Sequence, residues 1–275
     1  MFNPNLLTFR KIGPVHLKCT IDLSGLYSNS MAGLYAKFRK NLCKFIASAP
    51  ANREIYQYND DHLIYKSEQL IPSKIDDKKP LLLVFGNPAS HSVKEGMFFS
   101  YEGKDKGKRK EHRFWKSILG PLGIFDIDRN THLTIEEINE KRRESLLNVD
   151  YKTDFRIGLT VFVSQPSEST GDWSGVNGVK KLLRPKAMKV LEPHERKRII
   201  DSAREFLGRD GIVVTFQKNA WEGLKSENDP KYSLDAAKKG NLRGWLRGLP
   251  NIPLYGVPPT RLAGPCRETL KKLLL

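Results

Sequence analysis

The chain has 275 residues, 47 Lys plus Arg against 31 Asp plus Glu, a net charge of +16 and 39% hydrophobic residues. This composition fits one large globular domain, or one domain with an elaborated end, and excludes a disordered chain; the charge favours a polyanionic partner, nucleic acid ahead of an anionic membrane surface. Three cysteines, Cys19, Cys43 and Cys266, are odd in number and not at metal-binding spacing, which excludes a disulfide framework and a four-cysteine metal site and points to a reducing cytoplasm.

The opening segment MFNPNLLTFRKIGP carries no apolar run long enough for a secretory leader, and no stretch reaches the roughly 18 apolar residues of a membrane span. Residues 1–75 read as a helical extension. Within them, Leu26, Met31, Leu34, Tyr35, Phe38, Leu42, Phe45 and Ile46 recur at roughly helical spacing. A polar stretch from Ser48 to Asp61 and a short apolar run, His62 to Tyr65, complete this part.

From residue 76 onward, short apolar runs alternate with longer basic helical segments. The runs within Pro80–Gly86, Arg156–Ser164, Gly211–Gln217 and Ile252–Pro258 predict strands. The first three are continuous rather than alternating, as in parallel strands covered on both faces. Helices are predicted over Arg113–Leu119, Thr134–Leu147, Glu192–Leu207, Asn219–Leu224 and Glu268–Leu275. The pattern implies an α/β fold: three layers, α/β/α, around a central, mainly parallel four-stranded sheet, with the N-terminal helical extension packed against it. Ligands of open parallel sheets bind beyond the carboxyl ends of the strands. Two unusual loops fall there, Gly86-Asn-Pro-Ala-Ser-His91 and Pro258-Pro-Thr-Arg-Leu-Ala-Gly264.

The segment GNPASHSVKEGMFFSYEG, followed by the basic loop Lys104–Lys110 and then Arg113-Phe-Trp-Lys116, resembles the mismatch-specific branch of the uracil-DNA glycosylase superfamily. That branch has a strand ending in Gly-x-Asn-Pro, a Gly-Phe-rich turn, and an Arg-Phe-Trp-Lys helix start. Its base-stacking Phe stands twelve residues after the Asn; here that residue is Phe99, counted from Asn87. Gly158–Pro166, Val213–Ala220 and Gly256–Leu262 are similar to the family's later strands and final loop, so the resemblance spans roughly 78–275. It implies a glycosylase-like domain over 76–275, and a monofunctional DNA glycosylase of base excision repair.

The implied roles are water positioning by Asn87, base binding by Phe99, Ala89, Ser90 and His91, and DNA contact by Thr260, Arg261 and the apolar wedge Leu262. Lys108, Arg109 and Lys110 would reach phosphates. A carboxamide does not take up protons near neutral pH, so Asn87 would orient a water rather than deprotonate it. Pro258 stands where the family has Asn or His, and proline offers neither an N–H nor a side-chain hydrogen bond. Two function classes follow. One is an enzyme acting on a flipped-out uracil or other deaminated or damaged base; the other is a DNA-binding relative of the fold with weak or lost chemistry. The expected partner is DNA, single- or double-stranded, bound by a monomer without a membrane, metal or organic cofactor.

Asp126–Glu137 places oxygen side chains much as a calcium loop does. Its sixth position is Thr131, where the sharp turn of such a loop calls for Gly. The better reading is a loop leading to a helix capped by Thr134, with Glu137 completing a capping box.

Overall fold

The first 75 residues build strands as well as helices, which corrects the expectation of a helical extension. In the computed structural model, which describes residues 3–28, 31–59, 61–100, 104–105, 108–109, 111–126 and 133–275, β1 (Leu7–Lys11) and β2 (His16–Asp22) form an antiparallel hairpin. The helices α1 (Leu23–Leu26), α2 (Ala32–Ser48) and α3 (Pro50–Ile55) follow. β3 (Tyr56–Tyr58) and β4 (His62–Leu70) then pair antiparallel, with β4 beside β2. The physical cause is a period of two. Leu17, Cys19 and Ile21 are buried while Lys18 and Thr20 between them are half-exposed, a pattern that only a strand satisfies.

β4 stitches this part to the remainder. Its Leu63–Tyr65 portion pairs with β3, and its last residues, Gln69 and Leu70, pair antiparallel with β8 (Phe155–Val161). Next to β8 come β5 (Lys79–Phe85), β9 (Ile212–Thr215) and β11 (Leu249–Gly256), each parallel to its neighbour. β10 (Arg243–Leu246) closes the far edge antiparallel to β11. The expectation of a four-stranded sheet is therefore corrected: one nine-stranded mixed sheet runs in the order β1-β2-β4-β8-β5-β9-β11-β10, with β3 also on β4. β6 (Lys104–Asp105) and β7 (Lys108–Arg109) form a separate two-stranded hairpin.

Every residue of β8 and β9 is buried, which accounts for their unbroken apolar sequence. Alternation splits the sheet's side chains into two clusters. Leu82, Val84 and Val213 join side chains of α6 (Gly175–Leu183), α7 (Pro185–Leu207) and α8 (Lys218–Leu224). Leu81, Leu83, Phe85, Ile157, Leu159 and Val161 join the π-helical turn Phe114–Leu119, Leu146 of α5 (Ile135–Asn148), and Cys266 and Leu270 of α10 (Ala263–Leu274). The short helices α4 (Ser90–Glu95) and α9 (Leu234–Lys239) complete the fold.

α7 starts earlier than predicted, with Pro185 in its first turn, and continues through Pro193. α5 begins with the predicted capping box: Thr134 Oγ1 accepts from Glu137 N–H at 3.2 Å, and Glu137 Oε2 accepts from Thr134 N–H at 2.7 Å. Residues 127–132 of the calcium-like stretch lie outside the described residues. Among the described residues no His, Cys, Asp or Glu cluster is placed to hold a metal, and no helix is long and apolar enough to cross a membrane.

Candidate functional site

The chain leaves β5 at Phe85 and turns through Gly86-Asn87-Pro88-Ala89 into α4. Gly86 lies against the end of the Gln217 side chain at the exit of β9, which a Cβ there would displace. The loop is held by a parallel bridge to the segment after β8. Ser90 N–H donates to Ser167 O at 2.8 Å and Ser167 N–H donates to Pro88 O at 3.0 Å. Asn87 is fixed by its amide: Nδ2 donates to Ser167 Oγ at 2.8 Å, Pro88 O at 3.2 Å and Gln165 O at 3.3 Å. Two of these acceptors are carbonyls, which cannot donate, so the NH₂ faces them. The carboxamide oxygen is left as the group Asn87 can offer to a ligand.

Asn87 lines a cavity of about 450 Å³ at the carboxyl ends of the parallel strands, together with Phe85, Pro88, Ala89, His91, Phe99, His112, Arg113, Thr260 and Arg261. Stretches far apart in the sequence thus meet at one cavity. Phe99 sits in the left-handed region, φ 52°, a conformation that costs a non-glycine residue about 1–3 kcal/mol. It is held there by Trp115, whose indole Nε1–H donates to Phe98 O at 3.1 Å and Phe99 O at 3.2 Å. The Phe99 ring stacks on His112, with centroids 4.5 Å apart and planes at 23°, and meets Phe85 edge-on at 4.9 Å.

His112 accepts from Phe114 N–H through Nδ1 at 3.1 Å, so the ring proton is on Nε2. Burial, helped by His91 and Arg142, pushes its pKa down to about 4. It is a neutral donor at physiological pH. Beneath it, Glu111 pairs with the buried Arg142 at 2.5 Å, and the Arg142 guanidinium lies 4.4 Å over the Trp115 ring. Arg113 Nη1 donates to Arg261 O at 3.4 Å and ties this segment to the final loop.

In that loop Pro258 is buried, Thr260 is half-buried and Arg261 is exposed. Leu262 stands at the N-cap of α10, half-buried, its N–H donating to Pro259 O at 2.8 Å. It lies beside the cavity rather than in its wall. Ser90 is corrected as a base contact. Its N–H is spent on Ser167, and its buried side chain lies behind the wall, not in the lining. The backbone of Lys108 and Arg109 forms β7, opposite Asp105 and Lys104. Lys110 lies outside the described residues.

Sequence reasoning missed Glu68, His112, Ser169 and Thr170, all of which line the cavity. Glu68 comes from β4, opposite His16 of β2. It is 2% exposed, and its Oε1 has no hydrogen-bond partner. Burial alone pushes its carboxyl well above the usual carboxylate range. No spacing relative to Asn87 could have revealed it, because the sheet, not local sequence, brings β4 to this place.

Two other concavities lie elsewhere. One of about 230 Å³ is lined mainly by apolar residues, among them Phe162, Val179 and Leu191, on the opposite face of the sheet. An open groove of about 970 Å³ runs past Ser73–Pro80 and Phe206–Asp210, at the amino ends of β5 and β9. Neither has Asn87 or an aromatic stack at its wall. No protein-family model matches the chain, and no curated protein matches it.

Proposed function

We propose that the chain is a monofunctional DNA glycosylase that hydrolyses the N-glycosidic bond of a flipped-out uracil or another deaminated or damaged base. The observation that carries this reading is the convergence of Asn87, the Phe99–His112 stack and the Thr260–Arg261 loop around one cavity of about 450 Å³. The net charge of +16 supports a nucleic-acid partner. In this reading the parallel strands β8, β5, β9 and β11 with the helices on their two faces form a three-layer α/β/α catalytic unit. The N-terminal strands are an addition to it.

A base must leave the duplex before its glycosidic bond is reachable. The Phe99–His112 stack then offers an aromatic surface, and stacking of this kind is worth about 1–3 kcal/mol per base. Asn87 accepts a hydrogen bond from a water through Oδ1 and aims its oxygen at C1′. The C1′–N bond breaks and its electron pair departs with the base. The water oxygen bonds to C1′, and one water proton ends on the departing base. Neutral His112 adds an N–H donor to the cavity wall, suited to the charge that develops on the base. Arg113, Arg261 and the basic segment Lys108-Arg109-Lys110 contact phosphates, and Leu262 wedges into the base stack.

The test is a cleavage assay on labelled oligonucleotides holding one uracil, hypoxanthine, xanthine or ethenocytosine, single-stranded and duplexed, followed by alkali. Strand scission is expected for at least one base. Asn87→Ala should slow it roughly a hundredfold, the penalty of a misplaced reactant, with DNA affinity little changed. An unchanged rate would remove Asn87 from the mechanism. Salt-sensitive binding without scission on the whole panel would favour the DNA-binding relative. Leu262→Ala should weaken excision from duplexes roughly tenfold, and from single strands much less, because only a duplex has a stack to open. Equal effects on both substrates would count against the wedge.

A further inference from the structure

We propose that Glu68, contributed by the N-terminal strand β4, is a base-binding residue that donates its carboxyl hydrogen to a carbonyl oxygen of the extruded base and holds the negative charge that gathers there as the glycosidic bond breaks. This rests on the glycosylase reading of the cavity.

The first support is position. Glu68 shares the cavity wall with Asn87, Phe99 and His112, yet is 2% exposed, with Oε1 buried and unpartnered. A buried polar atom without a partner is destabilising, and a ligand in the cavity would relieve it.

The second support is charge. Facing Glu68 from β2 is His16, whose Nε2 is engaged by Val93 O at 2.8 Å. Lys66, two residues earlier on the same face of β4, is exposed to solvent. The other titratable groups of the cavity are His91, His112, Arg113 and Arg261. Among the described residues none forms an ion pair with Glu68, and burial alone acts on its carboxyl, raising its pKa. Burial with no cation beside it therefore favours the uncharged acid, which has one O–H donor and one acceptor.

The third support is chemical fit. A carboxylate in this position would repel a departing anionic base, whereas a neutral acid stabilises it without giving up its proton. The final loop supplies no such contact at Pro258, which is buried and carries neither an N–H nor a polar side chain. Glu68 reaches the same cavity from the opposite side of the sequence.

The experiment compares wild type, Glu68→Gln and Glu68→Leu in two readouts: single-turnover excision from pH 5 to 9, and equilibrium binding of free uracil and free hypoxanthine. Glu68→Gln retains an uncharged donor and should excise within roughly threefold of wild type at pH 7, and its profile should lack the fall that ionisation of the wild-type acid brings as the pH rises. Glu68→Leu, an apolar replacement suited to a buried site, should lose roughly a hundredfold, as when one charge-stabilising donor is removed, and should bind free base at least tenfold more weakly. If Gln is as damaging as Leu, Glu68 acts as an ionised base and the inference is overturned. If wild type excises none of the panel bases, the glycosylase reading fails. Glu68 is then judged on free-base binding: loss in Leu with retention in Gln sustains it, whereas equal affinities, or no binding by wild type, overturn it.

Discussion

Replacing Arg198 by leucine is expected to cost about 3–5 kcal/mol of stability, the loss typical when one partner of a buried ion pair is removed. Arg198 lies on α7, and both it and Glu195 are almost completely buried. Its guanidinium donates to Val161 O at 2.5 Å, Thr160 Oγ1 at 3.2 Å, Gln69 Oε1 at 3.2 Å and Glu195 Oε2 at 3.1 Å, and lies 5.1 Å over the Phe9 ring. Glu195 Oε1 in turn accepts from Ser164 N–H at 2.7 Å and Ser164 Oγ at 2.6 Å, and Tyr65 OH shares a hydrogen bond with Ser164 Oγ. One network therefore joins β1, β4, β8 and α7, the place where the N-terminal strands meet the parallel ones.

Leucine would leave Glu195 buried without its cation. Burial already pushes the Glu195 carboxyl up, and Arg198 and Ser164 are what oppose that push. The measurement is urea unfolding, with a lower midpoint and an unchanged slope. The double variant Arg198→Leu, Glu195→Leu should recover much of the loss, because no charge is then stranded. A single-variant cost below about 1 kcal/mol would place the pair with ordinary surface bridges and remove it as the clamp between the two parts of the sheet.

What the sequence made legible follows from which signals are local. The continuous apolar runs correspond to β5, β8 and β9 because strands covered on both faces cannot alternate, while the fourth run corresponds to β11, whose buried residues alternate. The Thr134–Glu137 capping box was readable because both of its partners lie within one turn. The N-terminal strands were obscured because α2 carries the stronger periodic signal, while β2 alternates Leu17, Cys19 and Ile21 with Lys18 and Thr20 over only seven residues. Asn87, Ala89, His91, Phe99, Thr260 and Arg261 were named from the sequence, and the fold gathers them at one cavity. Ser90 was misjudged because its N–H is consumed by Ser167, a partner 77 residues away. Glu68 and His112 were missed for the complementary reason. A charged or imidazole side chain reads as solvent-facing until the sheet and the Phe99 turn close over it.

The second large effect is the pH dependence carried by His112. Its pKa in the folded protein, about 4, is below the ordinary value of 6.5. Between these values the unfolded chain binds more protons than the folded one, so stability rises with pH across that window. The contribution is fully present above pH 6.5 and is lost as the pH falls toward 4. Its size is about 3 kcal/mol. His112→Phe keeps a ring against Phe99 but does not titrate. Its unfolding free energy should therefore be less steep than that of wild type between pH 4 and 6.5, although the variant also loses the acceptor for Phe114 N–H. His16 and His194 are displaced in the same direction by burial, so some slope should remain. Glu68 has the opposite sign. Its raised carboxyl pKa removes stability as pH rises above the ordinary carboxylate range, and the comparison is therefore sharper in a Glu68→Gln background, where that opposing slope is gone and the raised carboxyl of Glu195 is common to both curves. Urea melts at half-unit pH steps would read the difference directly. Parallel curves for His112→Phe and its parent would mean that His112 titrates alike in the folded and unfolded chain, so that burial does not hold it neutral beside Phe99.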